Sequence, residues 1–395
     1  MTSNSVPVRI ASRMDDIKPF HVMKLLARAR QLEATGRSII HMEIGEADFP
    51  TPPAVVQAGI EALQSGKTFY TPATGLPQLK QAIADYYQTS FGVRLDSQRI
   101  IITPGSSGAL QLLMGILINP GESVLLSDPG YPCNRHFVRL VEAEPIAVPV
   151  DYATDYQIDT QLAQQYWQPA SRAVMLTSPA NPTGGMVSQQ QVEQMLEFLA
   201  ARNGFLILDE IYQGLTYAEK GHTALQQDAD NLFVINSFSK FFGMTGWRLG
   251  WMVVPHAYVD AADRLAQNVF LAPQTMAQYA AMECFSEDTL QLLRQRTAEF
   301  RKRRDFLIPA LQQLGFKLQR VPEGAFYLYL DCSDLTDDSF EFSQQLLEQA
   351  GVAVTPGLDF GDNQPEKFVR IAFTTAIDKL EQGVQRISAF LQQRS

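Results

Sequence analysis

The sequence predicts an α/β fold: a large domain with a mostly parallel sheet and helices on both its faces, plus a smaller α+β domain. Three observations carry this expectation. Seven short, nearly continuous apolar runs follow one another between residues 99 and 255, segments with helical spacing separate them, and the texture changes after about residue 285.

The runs are Arg99–Thr103, Val124–Asp128, Pro145–Val150, Ala173–Ser178, Phe205–Asp209, Leu232–Ser237 and Gly250–Pro255. A strand buried on both faces loses the apolar–polar alternation of a half-solvated one, so continuous runs point to a helix-covered parallel sheet. Between them, Val192, Met195, Leu196 and Leu199 stand at i, i+3, i+4 and i+7, and Gly204 closes the segment. That is one apolar helix stripe with a stop signal. Past residue 285 a long helical stretch, Asp288–Leu311, carries Arg294, Arg296, Arg301, Lys302, Arg303 and Arg304. An anion-binding patch is one reading, and a solvated helix face is the favoured one. Ala325–Asp331, Val352–Pro356 and Phe368–Phe373 read as strands, and a final helix begins at Ile377. Near the start, Val22–Ala34 reads as a short helix and Ile39–Ile44 as extended chain. Both are expected to wrap back onto the smaller domain.

Composition narrows the function. The 395 residues are 46% hydrophobic and 19% charged, an ordinary globular balance, and the formal net charge is −10. So acidic a chain repels phosphate backbones and anionic lipid, which argues against nucleic-acid and membrane-surface partners. Met1–Ala11 lacks an apolar signal core, and no apolar run reaches the roughly 18 residues of a membrane span. Cys133, Cys284 and Cys332 form neither a disulfide framework nor a zinc pattern, which points to a reducing, cytoplasmic compartment. The five histidines (His21, His41, His136, His222 and His256) show no metal-ligand spacing, so no metal is expected. The absence of a Gly-x-Ser-x-Gly elbow argues against a serine hydrolase.

In parallel α/β sheets, ligands bind outside the carboxyl ends of the strands. Five of the runs end in unusual polar sequence: Pro104-Gly105-Ser106-Ser107-Gly108, Asp128-Pro129-Gly130-Tyr131, Ser178-Pro179-Ala180-Asn181-Pro182-Thr183-Gly184, Asp209-Glu210-Ile211-Tyr212 and Ser237-Phe238-Ser239-Lys240. Gly105–Gly108 ahead of the helical run Ala109–Leu117 offers free N–H groups, hydroxyls and a positive helix end, the parts of a phosphate cradle. A plain Gly/Ser helix cap fits the same residues. Asp209 follows four apolar residues, so it reads either as a desolvated carboxylate in need of a cation or as a helix cap. Lys240 lies among Ser237, Ser239, Phe241 and Phe242. It reads as a surface lysine or as a desolvated amine, nucleophilic toward aldehydes. Arg248, beside Trp247, is a candidate anion clamp. A phosphate cradle, a buried acid, a low-pKa amine and an aromatic ring, Tyr131, together suit pyridoxal 5′-phosphate.

The stretch Ser237-Phe238-Ser239-Lys240-Phe241-Phe242-Gly243-Met244-Thr245-Gly246-Trp247-Arg248-Leu249-Gly250 resembles the lysine signature of class I/II aminotransferases. Asn181-Pro182-Thr183-Gly184, Asp209-Glu210-Ile211-Tyr212 and Tyr70-Thr71-Pro72-Ala73-Thr74-Gly75 match the family's other blocks in order, over about Gly45 to Arg370. The resemblance implies the fold-type I pyridoxal-phosphate architecture: a seven-stranded large domain over residues 50–285, a small domain built from 1–49 and 286–395, and a homodimer. It further implies that Lys240 binds the cofactor aldehyde, that Asp209 pairs with the ring nitrogen, and that Tyr212 and Asn181 bond the phenolic oxygen. Tyr131 would stack on the ring. Ser106, Ser107, Ser237 and Arg248 would hold the phosphate, with Tyr70 reaching across from the partner subunit. Arg370 would clamp the substrate carboxylate, with Gly45 beside it.

The expected activity is therefore transfer of an amino group from an L-amino acid, neutral or aromatic, to a 2-oxo acid. A C–S β-lyase on the same fold is one alternative, and an aspartate aminotransferase is another. Aspartate would need a cation at its distal carboxylate. The cradle offers Ser107 there, and Asn268–Gln274, the stretch expected from the partner, holds neither Arg nor Lys. Arg135 or Lys18 would then have to supply the charge. A transcription regulator on this fold would carry a helix-turn-helix, and none fits.

Overall fold

The computed structural model describes residues 9–17, 19–217 and 221–394. Lys18 lies outside them. The strands are β1 (Ile40–His41), β2 (Ile100–Thr103), β3 (Ser123–Asp128), β4 (Glu144–Pro149), β5 (Ser171–Thr177), β6 (Phe205–Asp209), β7 (Leu232–Ser237), β8 (Gly250–Val253), β9 (Tyr327–Asp331), β10 (Val352–Ala353), β11 (Thr355–Pro356) and β12 (Phe368–Ala372). Seven of them form one sheet in the order β2-β8-β7-β6-β5-β3-β4. All its pairs are parallel except those of β8, which is antiparallel to β2 and β7.

The apolar runs are continuous because successive residues enter two different cores. Leu206 and Leu208 of β6, Leu232 and Val234 of β7, and Trp251 and Val253 of β8 enter one core. Ile207, Phe233, Ile235 and Met252 between them enter the other. The helix Gln189–Ala200 covers the first core through Val192, Met195, Leu196 and Leu199, and Ser188 opens it with a capping box to Gln191. Helices Gly105–Leu117, Cys133–Leu140 and Val259–Val269 cover the second.

Several elements differ from expectation. The helical run expected from Ala109 begins at Gly105, so the Gly/Ser segment is the first turn of the helix itself. Helices Pro53–Gln64 and Pro77–Phe91, each with proline at its first turn, fill the region ahead of β2. The run Val352–Pro356 is divided. β10 pairs in parallel with β1, while β11 joins the antiparallel sheet β11-β12-β9, because the chain crosses from one small sheet to the other at Val354. The long helix spans Glu287–Gln313, and its basic residues are not all solvated. Arg303 is buried, bonding Asp48 Oδ1 at 2.9 Å and the Thr374 carbonyl at 2.8 Å, so it ties an early segment to a late one. Among the described residues, no helix is long and apolar enough to cross a membrane.

Candidate active site

Chain reversal between β7 and β8 builds the first part of the site. Parallel strands would carry Lys240 and Arg248 apart. Because β8 runs back beside β7, both residues stay at one end of the sheet. Arg248 ends the short Thr245–Trp247 turn in the left-handed region, φ 55°, which costs a non-glycine residue about 1 kcal/mol or more. That conformation aims its guanidinium at the start of the Gly105–Leu117 helix. A Cβ on Gly105 would stand 2.7 Å from Arg248 Nη2, so glycine there is what lets the arginine reach the helix end. Gly250 is required likewise: a Cβ would meet Ser106 N at 2.9 Å. Arg248 Nη1 also bonds Ser239 Oγ at 3.3 Å, and Ser237 Oγ lies 3.0 Å from Ser239 Oγ. Free N–H groups, hydroxyls and a guanidinium thus meet at one helix N-terminus, an arrangement suited to a dianion.

Asp209 ends β6 in the middle of the sheet. Its carboxylate accepts the Ile211 N–H at 3.0 Å, and no other hydrogen bond to it is formed among the described residues. Burial pushes its pKa up to about 7, against the opposing pull of that N–H and of the Lys240 charge. The neighbouring Glu210 is different: Thr223 Oγ1 (2.8 Å) and Ala224 N (2.7 Å) occupy both its oxygens. Glu210 is a loop clamp, and Asp209 is the carboxylate with capacity to spare. Burial lowers Lys240 to about 8, with Arg370 and Arg248 also lowering it and Glu46 and Asp209 working the other way. Lys240 Nζ donates to the Gly45 carbonyl at 2.7 Å.

Arg370, on β12, is 3% exposed. Nη1 bonds Asn181 Oδ1 at 2.9 Å and Nη2 bonds the Glu43 carbonyl at 2.5 Å, while Nε is buried with no partner. Tyr327 lies against it, Arg370 Cζ standing 4.2 Å from the ring centroid. The Tyr327 hydroxyl is 2.8 Å from that of Tyr212. A Cβ on Gly45 would overlap the Tyr327 hydroxyl, so this glycine is a matter of space. Burial raises the Tyr131 phenol well above its ordinary value, with nearby Asp209 adding to the rise, and Phe20 stands edge-on to its ring at 6.5 Å.

The structure therefore brings together Gly45, Ser106, Tyr131, Asn181, Asp209, Tyr212, Ser237, Lys240, Arg248 and Arg370. Ser107 is exposed on the same helix turn. Tyr70 is 81% exposed, next to Phe69 at 82%. Phe270, expected to approach from a partner, packs toward the cradle helix of its own chain, 3.4 Å from where a Cβ on Gly108 would lie. Sequence reasoning assigned no role to Ser239, Tyr327 or the Glu43 carbonyl. Ser239 was legible from its place beside Lys240, whereas nothing in the local sequence marks Tyr327.

The sequence profile described as aminotransferase class I and II matches residues 37–387. The chain belongs to the class I and II aminotransferases. It is 33% identical to the valine–pyruvate aminotransferase of Mycobacterium tuberculosis, over 97% of this chain and 98% of that one. It is 32% identical to the (5-formylfuran-3-yl)methyl phosphate transaminase of Methanocaldococcus jannaschii, over 97% and 99%. The crystal structure of an aminotransferase from M. tuberculosis superposes with a TM-score of 0.93 at 33% identity, covering 98% of this chain and all of that one. This aminotransferase moves an amino group from an amino acid to a 2-oxo acid and depends on pyridoxal 5′-phosphate. The residues present fit that cofactor. The cradle suits its phosphate, the under-bonded Asp209 its ring nitrogen and the low-pKa Lys240 its aldehyde.

Proposed function

We propose that the amino donor is a neutral or aromatic L-amino acid, held by its carboxylate at Arg370 and by its amine near Lys240. The observation that carries the carboxylate assignment is the buried Arg370 Nε without a partner, on a guanidinium whose charge acts on Lys240. A buried guanidinium with an unmet N–H favours an anion, and the α-carboxylate of an amino donor supplies one.

Bound pyridoxal 5′-phosphate supplies an aldehyde to capture amines and a ring that accepts electrons from the substrate Cα. Asp209 holds a proton on the ring nitrogen, which keeps the ring a strong acceptor. Ser106, Ser107, Ser237 and Arg248 hold the phosphate, with Tyr70 of the partner subunit reaching across a dimer. Asn181 and Tyr212 would bond the phenolic oxygen, and Tyr131 would pack beside the ring. Arg370 and Gly45 would hold the substrate carboxylate and so direct which Cα bond reacts, favouring proton loss over loss of carbon dioxide. Lys240 Nζ, its pKa lowered to about 8, would hold the cofactor aldehyde and, as a free amine, would move the Cα proton. We assign residues 50–285 to the cofactor domain and residues 1–49 with 286–395 to the small domain, supported by the β1–β10 pairing. Three unpaired thiols support a cytoplasmic setting.

The neutral-donor reading is supported by the Asn268–Gln274 stretch, which lacks Arg and Lys, and by the valine–pyruvate activity named for a relative. Arg135 lies in the cavity beside Phe20 and Tyr131, but its guanidinium is engaged by the Pro132 and Asp359 carbonyls. A distal carboxylate that did not win it over would be desolvated at a cost of several kcal/mol. The test compares kcat/KM for alanine, valine, methionine, phenylalanine and aspartate against a common 2-oxo acid. Aspartate should be the poorest by at least about 100-fold, and a clear preference for it overturns the donor assignment. Pyruvate and ammonia released from a cysteine conjugate without any acceptor would instead mark a β-lyase.

A further inference from the structure

Tyr327, on β9, touches three parts of the site at once. It is 1% exposed. Its hydroxyl lies 2.8 Å from the Tyr212 hydroxyl, its ring face lies 4.2 Å from Arg370 Cζ, and its hydroxyl fills the space that Gly45 leaves open. A phenol has a single hydrogen to donate. If Tyr212 gives its hydrogen to the cofactor's phenolic oxygen, the 2.8 Å bond runs the other way, with Tyr327 donating to Tyr212.

We propose that Tyr327 is a positioning residue that fixes the Tyr212 hydroxyl as a donor toward the cofactor and makes the strength of that donation depend on the charge at Arg370. The inference rests on the roles proposed above for Tyr212 and Arg370. Hydrogen bonds in a chain polarise one another, so a stronger donor at Tyr327 makes Tyr212 a stronger donor in turn. A cation over a phenol ring favours its ionised form and so strengthens its O–H as a donor. Burial raises the Tyr327 phenol above its ordinary value, while the Arg370 charge works against that rise. When a substrate carboxylate neutralises Arg370, Tyr327 becomes a weaker donor and Tyr212 follows. A weaker bond to the phenolic oxygen leaves the proton more firmly on the nitrogen that joins Lys240 to the cofactor. Carboxylate binding at one end thereby primes proton transfer at the other. The Arg370–Asn181 bond is a separate link, which passes through neither tyrosine.

The test uses the holoenzyme carrying Tyr327→Phe, which keeps the ring on Arg370 and removes only the hydroxyl. The readout is the pH midpoint of the visible absorbance band. The charged groups around Lys240, namely Glu46, Asp209, Arg248 and Arg370, are the same in wild type and variant. The midpoint should rise by roughly half to one pH unit in Tyr327→Phe. Saturating 3-phenylpropionate, a carboxylate with no amine to react, should raise the wild-type midpoint and raise that of the variant by less. Adding Tyr327→Phe to Tyr212→Phe should move the midpoint no further, since the two act in series. A Tyr327→Phe midpoint equal to wild type, or full additivity in the double variant, overturns the inference and leaves the aminotransferase reading standing. A wild-type protein with no cofactor absorbance bound through Lys240 overturns both.

Discussion

Lys240 Nζ donates a 2.7 Å hydrogen bond to the carbonyl oxygen of Gly45, 195 positions earlier in the chain. The glycine has no room for a Cβ because the Tyr327 hydroxyl stands in that space. One early residue therefore sets the position of the amine and of the tyrosine that rests on Arg370.

Gly45→Ala should act on the site more than on the fold. The added methyl must displace Tyr327 from Tyr212 and Arg370, at about 1–3 kcal/mol for overpacking. We expect kcat/KM for the amino donor to fall about 10- to 100-fold, with the circular dichroism spectrum retained. Steady-state kinetics on matched holoenzyme preparations checks this.

Lys240→Ala should abolish the covalent link while leaving the phosphate cradle intact. Cofactor would bind but would wash out on dialysis against an amino acid, and borohydride would fix none of it to the protein. Turnover should drop by about 1000-fold or more, since the group that moves the Cα proton is gone. Mass spectrometry after borohydride treatment reads the outcome directly, and a reduced adduct retained in this variant contradicts the assignment.

Asp209→Ala should keep the cofactor, still joined to Lys240, and lose about 100- to 1000-fold in kcat because the ring nitrogen is no longer held protonated. Near-normal turnover would reduce Asp209 to a cap for the Ile211 N–H.

Removing the cofactor should expose the electrostatic cost of Asp209 as a pH dependence of stability. Its folded pKa is raised from 3.8 to about 7, so between those values the folded apoprotein holds a proton that the unfolded chain has released. Stability contributed by this group therefore falls as pH rises from about 4 to about 7. Lys240 has the opposite sign: lowered from 10.5 to about 8, it makes the apoprotein more stable as pH rises from about 8 to 10.5. Glu210, raised to about 8 by burial, adds to the acidic trend, so the comparison must isolate Asp209. The Tm of apo wild type minus that of apo Asp209→Asn should decline between pH 5 and 7.5, by a few kcal/mol in equivalent stability. A cationic ring nitrogen in the holoenzyme should abolish the decline.

Tyr70 and Phe69 should be covered in solution by a second copy of the chain. If Tyr70 serves the partner's site, a hybrid of Tyr70→Phe and Lys240→Ala subunits has one site with both lesions and one with neither. Mixed and reassembled subunits should then exceed the activity of either parent per site. A monomer with full activity by sedimentation contradicts this arrangement.

What the sequence by itself determined was local. Strand runs such as Phe205–Asp209 and Leu232–Ser237 were legible because burial on two faces removes polar residues from them. Asp209, Lys240, Arg248 and the Gly105–Gly108 turn were legible because the polar groups follow those runs at the sheet's ligand edge. Boundaries were read less well. The cradle lies inside its helix, and Val352–Pro356 serves two sheets, because a helix start and a strand's partner depend on neighbours outside the segment. What only the tertiary structure decided were contacts between distant positions: Arg370 with Asn181, Lys240 with Gly45, Tyr327 with Tyr212, and the burial of Arg303 within a helix that reads as solvated. These contacts join residues 71 to 255 positions apart, from different strands, helices and loops. Periodicity and turn chemistry record only the conformation of neighbours along the chain, so nothing in them specifies which side chains the packed sheet and its small domain bring face to face.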